Sequence, residues 1–242
     1  MDVPHLVQTI AVYALPVLLA ITLHEAAHGY VARHFGDMTA FAQGRISVNP
    51  IRHIDVVGTI VAPLLILLLS HGKFLFGWAK PVPVNYSALR KPKQHMAWVA
   101  AAGPGANLLM AIVWAALLRV GISLSDRADA WLAIVKHYGA AGLVDVVLQH
   151  GSGAAEFLIG VAAAGMLVNL VLMLLNLLPI PPLDGGRIVT SLLPPRAAWR
   201  FARIEPWGLP ILLLLLVTNV LGVVLMPLFN ETEALIRAFV LL

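Results

Sequence analysis

The spacing of apolar and polar positions along the chain predicts a bundle of membrane helices. Four long apolar segments each approach or exceed the roughly 20 residues that a helix needs to cross a bilayer. These segments are residues 6–35, 96–118, 157–178 and 206–229. We therefore expect a single-domain, all-α polytopic membrane protein, residues 1–242, with about four to six transmembrane helices.

Shorter segments between the first two long runs predict other elements. Residues 56–70 are apolar, but Gly58 and Pro63 interrupt a run that is already short for a crossing, so we expect a re-entrant segment. A full crossing by this segment is the alternative. Residues 44–49 and 78–85 alternate in the manner of short strands. We expect these two strands to form a small β-hairpin or sheet on the side that the first helix reaches.

Two further segments lie outside the long apolar runs. Residues 123–150 mix charged and apolar side chains, so we expect a loop and an amphipathic helix outside the bilayer core. Three prolines among residues 179–182 end the preceding helix, because proline lacks a backbone donor and clashes with the previous turn.

Composition supports a membrane protein and excludes several kinds of chemistry. Hydrophobic residues make up 60% of the chain and charged residues 12%, against about 45–50% and 25% in soluble domains. The chain has no cysteine, which excludes disulfides, thiolate nucleophiles and thiolate metal ligands. The net charge of +4 is small, so we expect a lipid bilayer as partner and no nucleic acid.

The distribution of basic residues predicts the orientation of the chain. The first apolar run lacks a basic leader, so we expect a retained membrane helix rather than a cleaved signal peptide. Twelve of the 16 Lys and Arg residues lie in segments on the side reached after that helix. The positive-inside rule makes this side cytoplasmic and puts the N-terminus outside the cell membrane, provided that residues 56–70 do not cross.

The strongest chemical signal is the run His24-Glu25-Ala26-Ala27-His28. Histidines four residues apart share one face of a helix and can reach a single metal ion, with the glutamate beside it as general base. A structural role, in which neighbouring groups satisfy both histidines, is disfavoured. Three ionisable groups in five residues of a lipid-embedded helix are costly and usually functional.

A third protein ligand would complete a catalytic zinc site of this kind. Without cysteine, that ligand must be a histidine, an aspartate or a glutamate. Asp184 is the one carboxylate in an intramembrane context, and the following Gly185 and Gly186 permit a turn toward the metal. The alternative, that Asp184 caps the helix that follows, is equally consistent with this segment.

Three motifs stand out along the chain: His24-Glu25-Ala26-Ala27-His28, Ala102-Gly103-Pro104 with Asn107, and Asn176 with Leu183-Asp184-Gly185-Gly186. Together they resemble the site-2 proteases, which are intramembrane zinc metalloproteases. The resemblance covers most of the chain and implies a minimal prokaryotic member without PDZ or CBS domains. The usual Asn-Pro-Asp-Gly of that family reads Pro-Leu-Asp-Gly here, which leaves the aspartate and the glycine in place.

The resemblance implies roles for individual residues. His24, His28 and Asp184 match the ligands of one Zn²⁺ per chain, and Glu25 matches the catalytic base. Asn176 matches an asparagine that contacts the substrate or the oxyanion, so it is both a catalytic and a substrate-binding candidate. Asn107 is a second substrate-binding candidate, with helix–helix hydrogen bonding as its alternative role. The active site is expected near the cytoplasmic face.

The expected function is intramembrane proteolysis, the cleavage of peptide bonds in or near the transmembrane helices of protein substrates. The two predicted edge strands would hold the unwound substrate by strand addition. The alternative is a metal-binding membrane protein without hydrolysis, such as a metal transporter, a sensor or a pseudoprotease scaffold. A transporter is disfavoured because the sequence shows no repeat, and a scaffold because every catalytic residue is present. A homo-oligomer is left open.

Overall fold

The structure, a computed structural model, describes residues 3–53, 55–61, 65, 80–151 and 153–241. Its α-helices are α1 Val3–His34, α2 Thr39–Ala42, α3 Pro92–Ser123, α4 Ala128–His150, α5 Ala154–Asn176, α6 Asp184–Leu192, α7 Pro195–Ala202, α8 Gly208–Val217 and α9 Val220–Ile236. Short 3₁₀ turns cover Pro50–His53, Tyr86–Ala88 and Glu205–Trp207, and π-helical turns cover Val56–Val61 and Arg237–Leu241.

Four helices in the described part of the chain are long and apolar enough to cross a membrane. They are α1, α3, α4 and α5, so the prediction of a helical protein with several helices able to span a membrane is confirmed for the described residues. Residues 206–229, predicted as one helix, form two instead. Asn219, with a left-handed φ of 58°, separates α8 from α9, and the segments on either side of the break are bent by 81°.

The centre of the bundle consists of α1, α3 and α5, with α3 antiparallel to α5. Gly121 near the end of α3 lies against Ile159 near the start of α5. Further along, the ring of Trp114 lies where a β-carbon on Gly165 would be, 2.3 Å from the nearest ring atom. Small residues at helix contacts let the backbones of membrane helices approach closely. This packing brings the start of α3 beside the end of α5.

Residues 123–150 match the prediction of a loop and a helix only in part. The predicted loop is present as the turn at residues 124–127, but the helix that follows, α4, is apolar enough to cross a membrane instead of amphipathic. It breaks at Gly139, where φ is 67°. Its buried residues, including Leu143 and Val144, belong to the main hydrophobic core. Both ends of α4 lie at one end of the bundle, because only short turns join them to the adjacent ends of α3 and α5.

The predicted β-hairpin is wrong, since the described part of residues 44–49 and 78–85 contains no strand. In the first segment, the backbone N–H of Arg45 bonds locally to the Ala40 carbonyl. In the second, prolines at 81 and 83 supply no donor, and the N–H groups of Val82 and Asn85 donate to the carboxylates of Glu25 and Asp37. These donors are therefore unavailable to a strand partner. Residues 78–79 lie outside the described part.

The predicted re-entrant segment, residues 56–70, falls largely outside the described residues. Its described beginning, Val56–Val61, is helical, and the N–H of Gly58 donates to the side chain of Asp55 over 2.6 Å. The re-entrant path itself stays a prediction.

Candidate metal centre

The two histidines of the HEAAH run lie together near the end of α1. Their Nε2 atoms are 3.1 Å apart, and His24 is 8% exposed. The start of α3 passes directly over them at Gly103. A β-carbon at this position would lie 2.5 Å from ring atoms of both imidazoles, so only glycine leaves room for the pair. The Ala-Gly-Pro motif therefore has a steric role beside the histidines.

Asp184, the first residue of α6, completes the cluster. Its Oδ2 lies 3.2 Å from Nε2 of His24 and 3.3 Å from Nε2 of His28. The turn before it is tight, because a β-carbon on Gly185 would lie 2.2 Å from the carbonyl oxygen of Leu177. No side-chain capping hydrogen bond is found at the start of α6, which gives the capping alternative no support.

The chemistry of these three side chains fits a zinc ion. Nδ1 of His28 lies 2.7 Å from the carbonyl oxygen of Val99, and a carbonyl only accepts, so Nδ1 carries the proton and the neutral ring has its lone pair on Nε2. Oδ2 of Asp184 is buried and has no hydrogen-bond donor. Tetrahedral zinc with bonds of about 2.0–2.1 Å requires ligand atoms about 3.3 Å apart, close to the distances found.

Glu25 lies in the same cavity as the three candidate ligands, a space of about 150 Å³. Its Oε2 accepts a hydrogen bond of 2.7 Å from the backbone N–H of Val82. This bond holds the carboxylate in place and occupies only one of its two oxygens. A carboxylate held beside a metal position is suited to take up and return a proton.

The two asparagine candidates occupy different places. Asn176, the last residue of α5, lines the cavity, and its Nδ2 donates to the Leu172 carbonyl over 2.9 Å. Asn107 is fully buried behind the histidines, where Oδ1 lies 2.5 Å from Nδ1 of His24. It contacts a candidate ligand and does not line the cavity that a substrate would enter.

Tyr86 and Arg187 also line the cavity, although the sequence analysis did not single them out. The guanidinium of Arg187 donates to the Tyr86 hydroxyl and, over 3.3 Å, to the Pro182 carbonyl. Burial raises the pKa of Tyr86, only partly offset by the charge of Arg187, so its hydroxyl stays protonated at neutral pH. The spacing of Arg187, one helical turn after Asp184, is a signal that could have identified it.

Comparison with known proteins decides the family. The family model described as peptidase family M50 matches residues 12–218, which is most of the chain. The chain belongs to peptidase family M50. This is the site-2 protease family, so the resemblance found in the sequence is confirmed.

Known relatives of this M50 protein carry protease names. “Putative zinc metalloprotease YwhC” of Bacillus subtilis (strain 168) is 37% identical over 226 residues, which cover 93% of this chain and 89% of that protein. Proteins named “Putative zinc metalloprotease Rip2” from Mycolicibacterium smegmatis and Mycobacterium tuberculosis (strain H37Rv) are each 28% identical over 205 residues. Those matches cover 85% of this chain and 66% of each Rip2 protein. No solved structure matches with comparable significance.

The family and the names of these relatives support the prediction of a zinc metalloprotease. His24, His28 and Asp184 form a group in this M50 protein that could hold the ion, since the candidate ligand atoms all lie within 4.8 Å of one another. The apolar helices and the family together support a multi-pass membrane protein.

Proposed function

We propose that this M50 protein is an intramembrane zinc endopeptidase that cleaves peptide bonds in or near transmembrane helices of membrane-protein substrates. The observation that carries the proposal is the meeting of His24, His28 and Asp184 at 3.1–3.3 Å, with Glu25 beside them. Both histidines belong to a helix that is apolar enough to cross a membrane. A protease site on such a helix is suited to substrates that also lie in the bilayer.

In this proposal each residue of the cavity has a separate task. His24, His28 and Asp184 hold the metal, and a bound zinc ion would act as a Lewis acid toward the attacking water and the substrate carbonyl. Glu25 accepts the proton of the water and delivers it to the leaving nitrogen. Asn176 donates a hydrogen bond to the substrate or to the developing oxyanion through the second hydrogen of its amide nitrogen, since only one hydrogen bonds to the Leu172 carbonyl.

We place this site near the cytoplasmic face, with the N-terminus outside. The distribution of basic residues supports this orientation. His28 lies six residues before the end of α1 at His34, which is about 9 Å along the helix axis. Water can therefore reach the site from the cytoplasmic end over a short distance. The partners in this proposal are the bilayer and a transmembrane substrate, with the oligomeric state left open.

A comparison of membrane fragments in cells tests the proposed function. Cells that produce the wild-type protein should contain truncated forms of at least one membrane protein that are absent with Glu25→Gln, because glutamine cannot accept the proton. Glu231→Gln, an exposed position on α9, is the matched control and should behave as wild type. Identical fragments in wild-type and Glu25→Gln cells would contradict a protease function.

A further inference from the structure

We propose that Asn107 and Asn169 are positioning residues that fix the ring of His24 for metal binding. The two asparagines form a directional hydrogen-bond relay from a backbone carbonyl of α5 to Nδ1 of His24. The relay determines which nitrogen of this ring carries the proton. This inference rests on the proposed function, because it assigns His24 as a ligand of the metal.

The relay joins the three central helices, α5, α3 and α1, in the buried interior of the bundle. Both asparagines have no exposed surface. Nδ2 of Asn169 donates to the Gly165 carbonyl over 2.8 Å, and Nδ2 of Asn107 donates to Oδ1 of Asn169 over 2.9 Å. Oδ1 of Asn107 then lies 2.5 Å from Nδ1 of His24. Each member therefore contacts the next in one continuous chain.

The direction of the relay follows from its fixed end. The Gly165 carbonyl can only accept, so the amide nitrogen of Asn169 must face it. The oxygen of Asn169 then faces Asn107, which must present its own nitrogen. That nitrogen also lies 3.5 Å from the Ala20 carbonyl, a second acceptor that favours the same orientation. Asn107 therefore presents its oxygen to His24.

An oxygen at this position requires the proton of His24 to be on Nδ1. In the neutral ring, Nε2 then keeps the lone pair and points toward Oδ2 of Asp184 at 3.2 Å. His28 reaches the same state without a relay, because the backbone carbonyl of Val99 accepts from its Nδ1. The two candidate ligands thus have the same tautomer. A backbone carbonyl fixes that of His28, and the side chains of the relay, which can be mutated, fix that of His24.

A purely structural role predicts a different outcome. Buried asparagines can join membrane helices, and their loss would then lower the stability of the bundle without a specific effect on the metal. A positioning role predicts that metal affinity falls by about 10–100-fold, as when other partners of metal-binding histidines are removed. The two roles are therefore separated by measuring zinc affinity and stability on the same variants.

The experiment uses the purified full-length protein in detergent and competition with a chromophoric chelator to measure the zinc dissociation constant. We expect Asn107→Leu to weaken zinc binding by about 10–100-fold and Asn169→Leu by about tenfold. The double variant should bind zinc no more weakly than Asn107→Leu, because the relay passes through Asn107. The visible spectrum of the Co²⁺-loaded protein should shift in Asn169→Leu, although this residue does not contact His24.

Thr22→Val is the matched control. It removes a buried hydroxyl from α1, two residues from His24 and therefore on another face of the helix. The zinc affinity of Thr22→Val should stay within about twofold of wild type, because the substitution does not alter the ligands or the relay.

Wild-type zinc affinity and Co²⁺ spectrum in Asn169→Leu, whatever its melting temperature, would overturn the relay. This variant decides the question even if Asn107→Leu does not fold. Failure of the wild-type protein itself to bind zinc would instead refute the proposed function. The failure of the relay and the failure of the metal site are thus distinct results.

Discussion

At the scale of single residues, the metal centre depends on the lack of a side chain at Gly103 as well as on its candidate ligands. His24 and His28 can converge because Gly103 of α3 leaves space over both rings. Gly105 in the same helix has no atom within 4 Å of where its β-carbon would be. The two glycines are two residues apart, and only one of them lies against the candidate ligands.

Gly103→Ala should therefore displace both imidazoles and weaken zinc binding by at least about tenfold, within the range found when the surroundings of metal ligands are disturbed. Gly105→Ala should keep wild-type affinity and gain up to about 1 kcal/mol of helix stability. Chelator competition on the two purified variants checks this contrast. Equal zinc affinity in both would show that the close approach of α3 does not matter.

The sequence predicts part of this site for a local reason and misses the rest for a non-local one. His24, Glu25 and His28 are readable because helical spacing alone brings them together. Asp184 follows 156 residues after His28. The sequence around it is equally consistent with a metal ligand and with a helix cap. The arrangement of Asn107 behind His24 depends on how α3 packs against α1, which no local pattern encodes.

At the scale of elements, the break in α4 is held by two charged residues of the C-terminal helix region. Oε1 of Glu233 accepts from the N–H of Ala140 over 2.6 Å, just after the break at Gly139. Arg237 donates to the carbonyl of Val135, just before the break, over 2.6 Å. The pair thus satisfies backbone groups that a broken helix leaves without partners.

Glu233→Ala should lower the stability of the bundle by about 1–3 kcal/mol, because it leaves a buried backbone donor unpaired. Thermal unfolding in detergent measures this loss, and zinc affinity should be unchanged, since the side chain of Glu233 bonds to Ala140 and Arg237 and to no residue of the metal centre. Glu231→Ala, on the exposed face of the same helix, is the control with little expected effect. Equal melting temperatures of the two variants would show that Glu233 does not support the break.

Hydrophobic patterns predict long helices better than their interruptions. The runs at 6–35, 96–118 and 157–178 correspond to α1, α3 and α5, because a long apolar segment in lipid has few alternatives to a helix. The pattern of residues 80–85 suggested a strand, but carboxylates from α1 and the following turn take its backbone donors. Such tertiary competition is invisible in a local pattern.

At the scale of the whole molecule, the packing of the helices defines two ends of the bundle. The metal centre lies where the end of α1, the start of α3 and the end of α5 meet. The turn between α3 and α4 lies at the opposite end. The proposed orientation, in which the metal end faces the cytoplasm, rests on the excess of basic residues predicted at that end.

Single cysteines test this orientation directly, because the natural sequence contains none. A cysteine replacing Ser125 should react with an impermeant maleimide on intact cells. Cysteines replacing Ser87 or Ala197 should react only after permeabilisation. The backbone N–H of Arg90 donates to the Phe35 carbonyl, so Ser87 lies at the same end of the bundle as the end of α1. Labelling of the Ser87 position from outside would therefore mean that the orientation of the metal end is reversed.

The cluster around Glu25 is proposed to hydrolyse peptide bonds within a membrane. The most direct measurement reconstitutes the purified protein in liposomes with a transmembrane substrate and identifies the products by mass spectrometry. The wild-type protein should cut in or near the transmembrane segment, faster when glycine or proline loosens the substrate helix. Glu25→Gln should bind zinc like the wild type yet lose at least about 99% of the rate, as expected for loss of a general base. Cleavage by Glu25→Gln at the wild-type rate would contradict the proposed role of Glu25 as general base.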